Sequence, residues 1–181
     1  MRSDEELMLD AGRGARGAVE EIFARYRQSI WAFFRRRVSD SRTAEELAQD
    51  TFVALIEAAP RYQDRGAFRS YLFGIAYRVL LANGRQSRRQ PETLDGDVPG
   101  DASEPDDVVW VRAALARLDA DDREILMLRE YEGLSYGEIA AVHRIPLNTV
   151  RSRLFRARMA LKAQLAAPPA RMPQGVGNAF D

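Results

Sequence analysis

Apolar residues along this chain recur every three or four positions, and no stretch shows the period of two expected of a half-buried strand. Val19, Ile22, Phe23, Tyr26, Ile30 and Phe33 form the stripe of an amphipathic helix. Arg35, Arg36 and Arg37 follow it, cations suited to the negative end of the helix dipole. Thr43, with Glu46 three residues later, reads as the N-cap of a second helix in a capping-box pattern, and Pro60 ends that helix. A third helix carries Phe68, Leu72, Ile75, Ala76 and Val79 on one face and is expected to fray near Asn83-Gly84.

The helical period resumes further on. Trp110, Ala114, Leu115 and Leu118 make one stripe; Asp121 with Glu124 opens the next helix, and Gly133 closes it as the residue past the C-cap. Ser135 and Glu138 repeat the capping box, with Leu134 and Ile139 as a hydrophobic staple, and start a short helix over 136–142. The connection His143-Arg144-Ile145-Pro146 leads into a last, basic helix, so the pair is a helix-turn-helix candidate. His143 itself reads as a polar turn residue.

The predicted fold is therefore all-α: two small helical domains joined by a flexible acidic linker, the second containing the helix-turn-helix. Residues 1–85 form the first domain and 106–166 the second. Residues 86–105, QSRRQPETLDGDVPGDASEP, hold three Pro and two Gly and too few large apolar groups to offset their ordering entropy. They are read as the linker, and 167–181 as a disordered tail.

Composition narrows the function classes. With 46% hydrophobic and 30% charged residues the chain suits a soluble globular protein. No apolar run approaches the roughly 18 residues of a membrane span. The acidic start lacks the apolar core of a signal peptide, so a cytoplasmic location is expected. The absence of cysteine excludes disulfides and Cys-based zinc or redox motifs, and a single histidine excludes a His-rich metal site. No catalytic set, metal or cofactor is expected.

The 27 basic and 27 acidic residues cancel overall but are unevenly placed. Residues 61–90 hold seven Arg and one Asp, 91–124 eleven acids and three Arg, and 139–181 six Arg, one Lys and one Asp. Basic blocks are the footprint of phosphate binding, yet a charge run is also ordinary solvated surface. The last helix offers a discriminating feature. Val150, Leu154, Ala157 and Leu161 form its buried stripe, and the opposite face carries Asn148, Ser152, Phe155 and Met159, with Arg156 beside them and Arg151 and Arg153 flanking. A solvated face rarely needs a phenylalanine. In a major groove Phe155 could meet a thymine methyl while Arg151, Ser152 and Arg156 reach bases or phosphates.

The first basic block, RYQDRGAFRSYLFGIAYRVLLANGRQSRR, interleaves aromatics with arginines. Exposed rings such as Tyr71 and Tyr77 would suit unstacked bases, whereas spacing alone slightly favours an aromatic-rich core with a charged rim. Likewise, Glu46, Gln49 and Asp50 lie opposite the inward Leu47, Thr51 and Leu55, which by itself describes a solvated face.

Together these segments resemble the extracytoplasmic-function (ECF) group of bacterial RNA polymerase sigma factors, over about residues 5–165. AEELAQDTF is similar to the family's core-polymerase-binding helix, FRSYLFGIAYRV to its melting and minus-ten-reading helix, and LREYEGLSYGEIAAVHRIPLNTVRSRLFRAR to its minus-thirty-five-reading helix-turn-helix. The resemblance implies binding of core polymerase, at the clamp and flap regions of its large subunits, and of promoter DNA. An anti-sigma factor is a common further partner. It assigns Glu46, Gln49 and Asp50 to polymerase, and Tyr62, Arg65, Arg69, Tyr71, Arg78 and Arg85 to the opened minus-ten strand. Arg144, Asn148, Thr149, Arg151, Ser152, Arg153, Phe155 and Arg156 fall to the duplex. The chain departs from the family at Arg78, where Asn is usual, at Ala82, where Asp or Asn is common, and at Gly74, where Arg is frequent. Arg144 occupies a turn position often held by Gly, a strained choice if φ is positive there.

Rival readings are a stand-alone helix-turn-helix regulator, a recombinase and a polymerase-binding module without DNA contact. The chain shows no evident dimerisation helix for the first and no catalytic Ser or Tyr domain for the second. The third would tolerate loss of Arg151 and Arg156.

Overall fold

The computed structural model describes residues 2–89 and 106–166. They form helices α1 (Asp4–Gly12), α2 (Arg16–Arg35), α3 (Ser41–Ala58), α4 (Phe68–Arg89), α5 (Asp106–Ala116), α6 (Ala120–Glu130), α7 (Tyr136–His143) and α8 (Leu147–Ala166), with a short 3-10 turn at Ala59–Arg61. No strand occurs among the described residues. The predicted tail 167–181, and residues 90–105 of the predicted linker, lie outside them.

Helices α1–α4 pack round one core, in which Leu7, Met8, Ile30, Phe33, Phe34 and Leu72 have no solvent exposure. The first of these helices has its own sequence signal, which the apolar pattern does not reveal. Ser3 Oγ accepts from the Glu6 backbone at 3.1 Å, and Glu6 accepts from the Ser3 backbone at 2.7 Å, a complete capping box. Its Asp4 accepts the Tyr26 hydroxyl, and burial together with that carboxylate pushes the Tyr26 pKa well up.

Two N-cap assignments change. The N-cap of α3 is Asp40, not Thr43: the extended Asp40 backbone lets its carboxylate take the Arg42 and Thr43 N–H groups. Thr43 is already helical and donates its hydroxyl to Asp40 at 2.8 Å. Asp119 caps α6 in the same way, placing Asp121 inside the first turn. Carboxylates at these extended positions reach two orphan donors each, which the residues one turn on cannot.

Helix α4 does not fray at Asn83-Gly84 but continues to Arg89, taking in residues 86–89. One glycine costs a helix only about 1 kcal/mol, and the residues after it, rich in Arg and Gln, are adequate helix formers until Pro91 intervenes.

Helices α5–α8 form the second group, with α8 packed on α5, α6 and α7. The two groups meet along α4 and α7. Arg36 and Arg37 are central to this contact, a role beyond completing the helix dipole. Arg37 Nη1 does donate to the Phe33 carbonyl at 2.7 Å, as a C-terminal cation should. Its other nitrogens cross to Glu124, and the Arg36 and Arg37 guanidinium groups share Glu132 at 2.8 and 3.3 Å. The side chains of Arg37 and Glu132 are only 4% and 2% exposed. Arg37 also lies over the Phe33 ring, at 3.7 Å.

Candidate nucleic-acid interface

The α7–α8 pair is set by local chemistry. Ser135 and Glu138 complete the expected capping box, and the staple residues Leu134 and Ile139 are fully buried. Gly133 before them has the positive φ of +64 expected of it, but α6 ends earlier than predicted: its C-cap is Tyr131, so Gly133 stands two residues past the cap and not directly after it. Arg144 caps α7 with φ 56 and ψ 45, so a position that favours glycine carries a side chain.

Helix α8 turns Val150, Leu154 and Ala157 into the core, each at most 1% exposed, with Leu161 half-buried. Asn148, Ser152, Phe155 and Met159 are exposed on the other side, as are Arg151 and Arg156; Thr149 and Arg153 are half-buried. Phe155 at 65% is more exposed than any other large apolar side chain among the described residues. Arg144 is exposed at the turn. The predicted duplex-binding residues thus all lie on the turn or on α8.

The arginines are not free of acids, although none follows Glu138 nearby in the chain. The carboxylates come from α6. Arg156 donates to both oxygens of Asp122 at 3.1 and 2.9 Å, Arg153 to Asp121 at 2.8 Å, and Arg158 to Glu130 at 2.9 Å. Arg151 donates instead to Asn148 on its own helix, at 3.2 Å.

The candidate single-strand set is divided. Arg65, Arg78 and Arg85 are exposed, while Arg69 is half-buried and donates to the Glu132 carbonyl at 2.6 Å. Tyr62 and Tyr71 are brought together, their rings 5.1 Å apart, but both are half-buried, and burial pushes the Tyr62 pKa up to about 12. Tyr77 is covered by His143 at 4.6 Å, and burial raises its pKa. Tyr71 and Tyr77 are therefore not the exposed platforms that base stacking would need; both join the packed rim of the core. His143 is likewise no simple turn residue. It ends α7, and its Nε2 is buried without a hydrogen-bond partner among the described residues; desolvation lowers its pKa.

On α3, Leu47, Thr51 and Leu55 are buried, and Glu46, Gln49 and Asp50 are exposed. Val53 and Ile56 continue this outer face, 54% and 48% exposed. Their signal in the sequence is two apolar residues three and six positions beyond Asp50, off the inward stripe. Ile56, together with Phe23, borders an apolar cavity of about 180 Å³ between α1, α2 and α3.

No group of three or more potential metal ligands occurs among the described residues, and no helix there is long and apolar enough to cross a membrane.

The family models for Sigma-70 region 2 and Sigma-70, region 4 match residues 22–90 and 109–161. The chain is 37% identical over 172 residues to the ECF RNA polymerase sigma factor SigC of Mycobacterium tuberculosis, covering 89% of this chain and 92% of that one. It is 32% identical over 180 residues to the RNA polymerase sigma-H factor of Pseudomonas aeruginosa, covering 90% and 93%. Among solved structures, CnrH in complex with the cytosolic domain of CnrY aligns with a TM-score of 0.73 at 26% identity, covering 91% and 98%. The sigma factor RpoE of Bartonella quintana, in complex with the anti-sigma factor NepR, aligns at 0.63 and 25%, covering 82% and 97%. A chain whose two helical groups carry both regions is a sigma factor, a promoter-recognition subunit of RNA polymerase. It belongs to the ECF group of the sigma-70 family.

Proposed function

We propose that this sigma factor reads a bipartite promoter with separate helices, α8 on duplex and α4 on the opened strand. The reading rests chiefly on one observation. Phe155 stands 65% exposed on α8, opposite Val150, Leu154 and Ala157 and flanked by Arg151, Ser152 and Arg156. Apolar contact to a thymine methyl and guanidinium contact to guanine or phosphate give that face a use that solvation does not. Arg144, Asn148, Thr149 and Arg153 complete the contact surface.

On α4 and the segment before it, Arg65, Arg78 and Arg85 hold the strand backbone. Tyr62, Tyr71 and Arg69 join them once the half-buried rings and the Arg69–Glu132 hydrogen bond give way to DNA. The domain trapping opened bases runs to the end of α4 at Arg89 and the duplex-reading domain is 106–166, joined through 90–105. Core polymerase docks its clamp on Glu46, Gln49 and Asp50, and its flap on the second domain. An anti-sigma factor is a further partner, a class represented in the RpoE complex among the relatives. The protein works in the cytoplasm and catalyses nothing itself; nucleotide transfer belongs to the polymerase.

The test is transcription in vitro with purified core polymerase and genomic DNA from the source organism. Defined starts that need both this chain and an upstream duplex element are expected. Shifting of promoter DNA by the chain alone, with no polymerase-dependent start, would establish the stand-alone regulator instead.

A further inference from the structure

Asp122 sits where an acid ought to be a disadvantage. It lies beside the basic face of α8, which must approach a polyanion, and yet it is buried, with 7% exposure. Its place is fixed from two sides. It occupies the first turn of α6, where its backbone N–H donates to Asp119 at 3.2 Å, and α6 itself packs against α8. Both of its carboxylate oxygens accept from Arg156, one from Nε at 3.1 Å and one from Nη2 at 2.9 Å. The exposures are unequal: the Asp122 side chain is 10% exposed, the Arg156 side chain 62%. A rigid, enclosed acceptor thus holds one edge of a guanidinium whose other edge faces water.

That geometry fixes which donors remain. A guanidinium has five N–H groups in a planar fork. The Nε–Nη2 edge is occupied, which leaves both N–H groups of Nη1 and the second one of Nη2, the terminal edge. Two parallel donors on a terminal edge match guanine O6 and N7 in the major groove. The neighbouring pair is built differently: the Asp121 carboxylate is 61% exposed and takes a single bond from Arg153, so it fixes no plane.

We infer that Asp122 is a positioning residue for promoter reading: it locks the Arg156 guanidinium plane so that its terminal edge meets one guanine of the upstream element. The inference rests on the proposed role of α8 and adds a specificity determinant from outside the recognition helix. An acid at this position lowers the general attraction to phosphate and raises discrimination at one base pair.

The experiment uses the full chain assembled with core polymerase on a start-site-mapped promoter, with each base pair of the upstream element substituted in turn. Affinity is measured by competition for the wild type, Arg156→Ala, Asp122→Ala, Asp122→Asn and the Arg156→Ala/Asp122→Ala double variant. The wild type should prefer guanine at one position by roughly tenfold or more, the size of a good bidentate contact. Asp122→Ala should reduce that preference to about threefold or less and leave the other positions alone, while general duplex affinity rises. Asp122→Asn, which keeps an oxygen to accept from Arg156 and serves as a second variant should alanine disturb α6, should retain more of the preference. In the Arg156→Ala background, Asp122→Ala should have no further effect on preference, the non-additivity expected of two residues acting as one. An equal change at every base pair, an unchanged preference in both Asp122 variants, or an effect that persists without Arg156 overturns the inference while leaving α8 as reader. If Arg156→Ala itself alters no base preference, the assignment of Arg156 falls first, and the positioning role falls with it.

Discussion

Arg37 and Glu124 stand 87 residues apart in the chain and meet through three nitrogen–oxygen contacts of 2.8–3.0 Å. The same guanidinium reaches Glu132 and stacks on Phe33, so it ties the end of α2 to the middle of α6 and to the segment just past it. Removing one member of a buried ion pair leaves its partner uncompensated, at a cost of about 3–5 kcal/mol. Arg37→Ala is therefore expected to loosen the two helical groups from each other. Denaturant unfolding should split into separate transitions, and the distance between labels on α3 and α8 should broaden. A single transition with an unchanged midpoint would show that the contact contributes nothing to their association.

Leu154 and Phe155 are neighbours in sequence with opposite environments, 1% and 65% exposed. Leu154→Ala opens a cavity in the second core and should cost about 2–5 kcal/mol of stability. Phe155→Ala should change stability by no more than about 0.5 kcal/mol, as expected of an exposed site. Its effect should fall on promoter-directed transcription, as a loss of roughly tenfold in affinity for the upstream element if it meets a base. Thermal melts and promoter competition on the same two variants separate the roles. A destabilised Phe155→Ala with normal promoter affinity would reassign Phe155 to packing.

This contrast marks what the sequence makes legible. The α8 face could be read because one helix determines it: Val150, Leu154 and Ala157 fix the inward direction, and Phe155 follows by rotation. Ser135 and Glu138 were equally plain, since a capping box is local. What escaped was mostly relational. Asp121 and Asp122 precede the α8 arginines by more than a turn-helix-turn and come beside them only through the α6–α8 packing. Tyr77 lies off the apolar stripe of its own helix, and the spacing could not show what covers it: α7, more than fifty residues on. At Asp40 the difference is local: Thr43 and Glu46 match a capping pattern, but the helix starts three residues earlier, where the Asp40 carboxylate takes the Arg42 and Thr43 N–H groups.

Arg144 has φ 56 at the end of α7, a conformation that costs a residue with a Cβ about 1 kcal/mol or more. Arg144→Gly removes that strain but adds freedom to the unfolded chain, which takes back part of the gain. A net stabilisation of about 0.5 kcal/mol is expected, seen as a higher denaturant midpoint with unchanged slope. The same variant deletes an exposed cation of the proposed interface. The salt dependence of duplex binding should therefore become shallower by about one ion. Loss of stability would mean that the Arg144 side chain makes contacts worth more than its backbone strain.

His143 supplies a pH test, because it is the chain's one histidine. Its ring packs on Tyr77 across the α4–α7 contact, and burial holds its pKa below the ordinary 6.5. Glu124 and Asp121 of α6 favour its protonation, while Arg153 of α8 and Arg37 at the end of α2 oppose it, and desolvation outweighs them all. The unfolded chain takes up the proton near pH 6.5, before the folded one does. Stability from this group is thus present above that pH, declines as pH falls through it, and levels off below the folded pKa. The melting temperature of the wild type should drop more steeply between pH 7 and pH 5 than that of His143→Phe, which keeps a ring against Tyr77 and cannot titrate. An NMR titration of the imidazole should give a midpoint below 6.5. Parallel melting profiles, or a midpoint at or above the ordinary value, would mean that water or an acid satisfies Nε2 in solution and that the α4–α7 contact is open there.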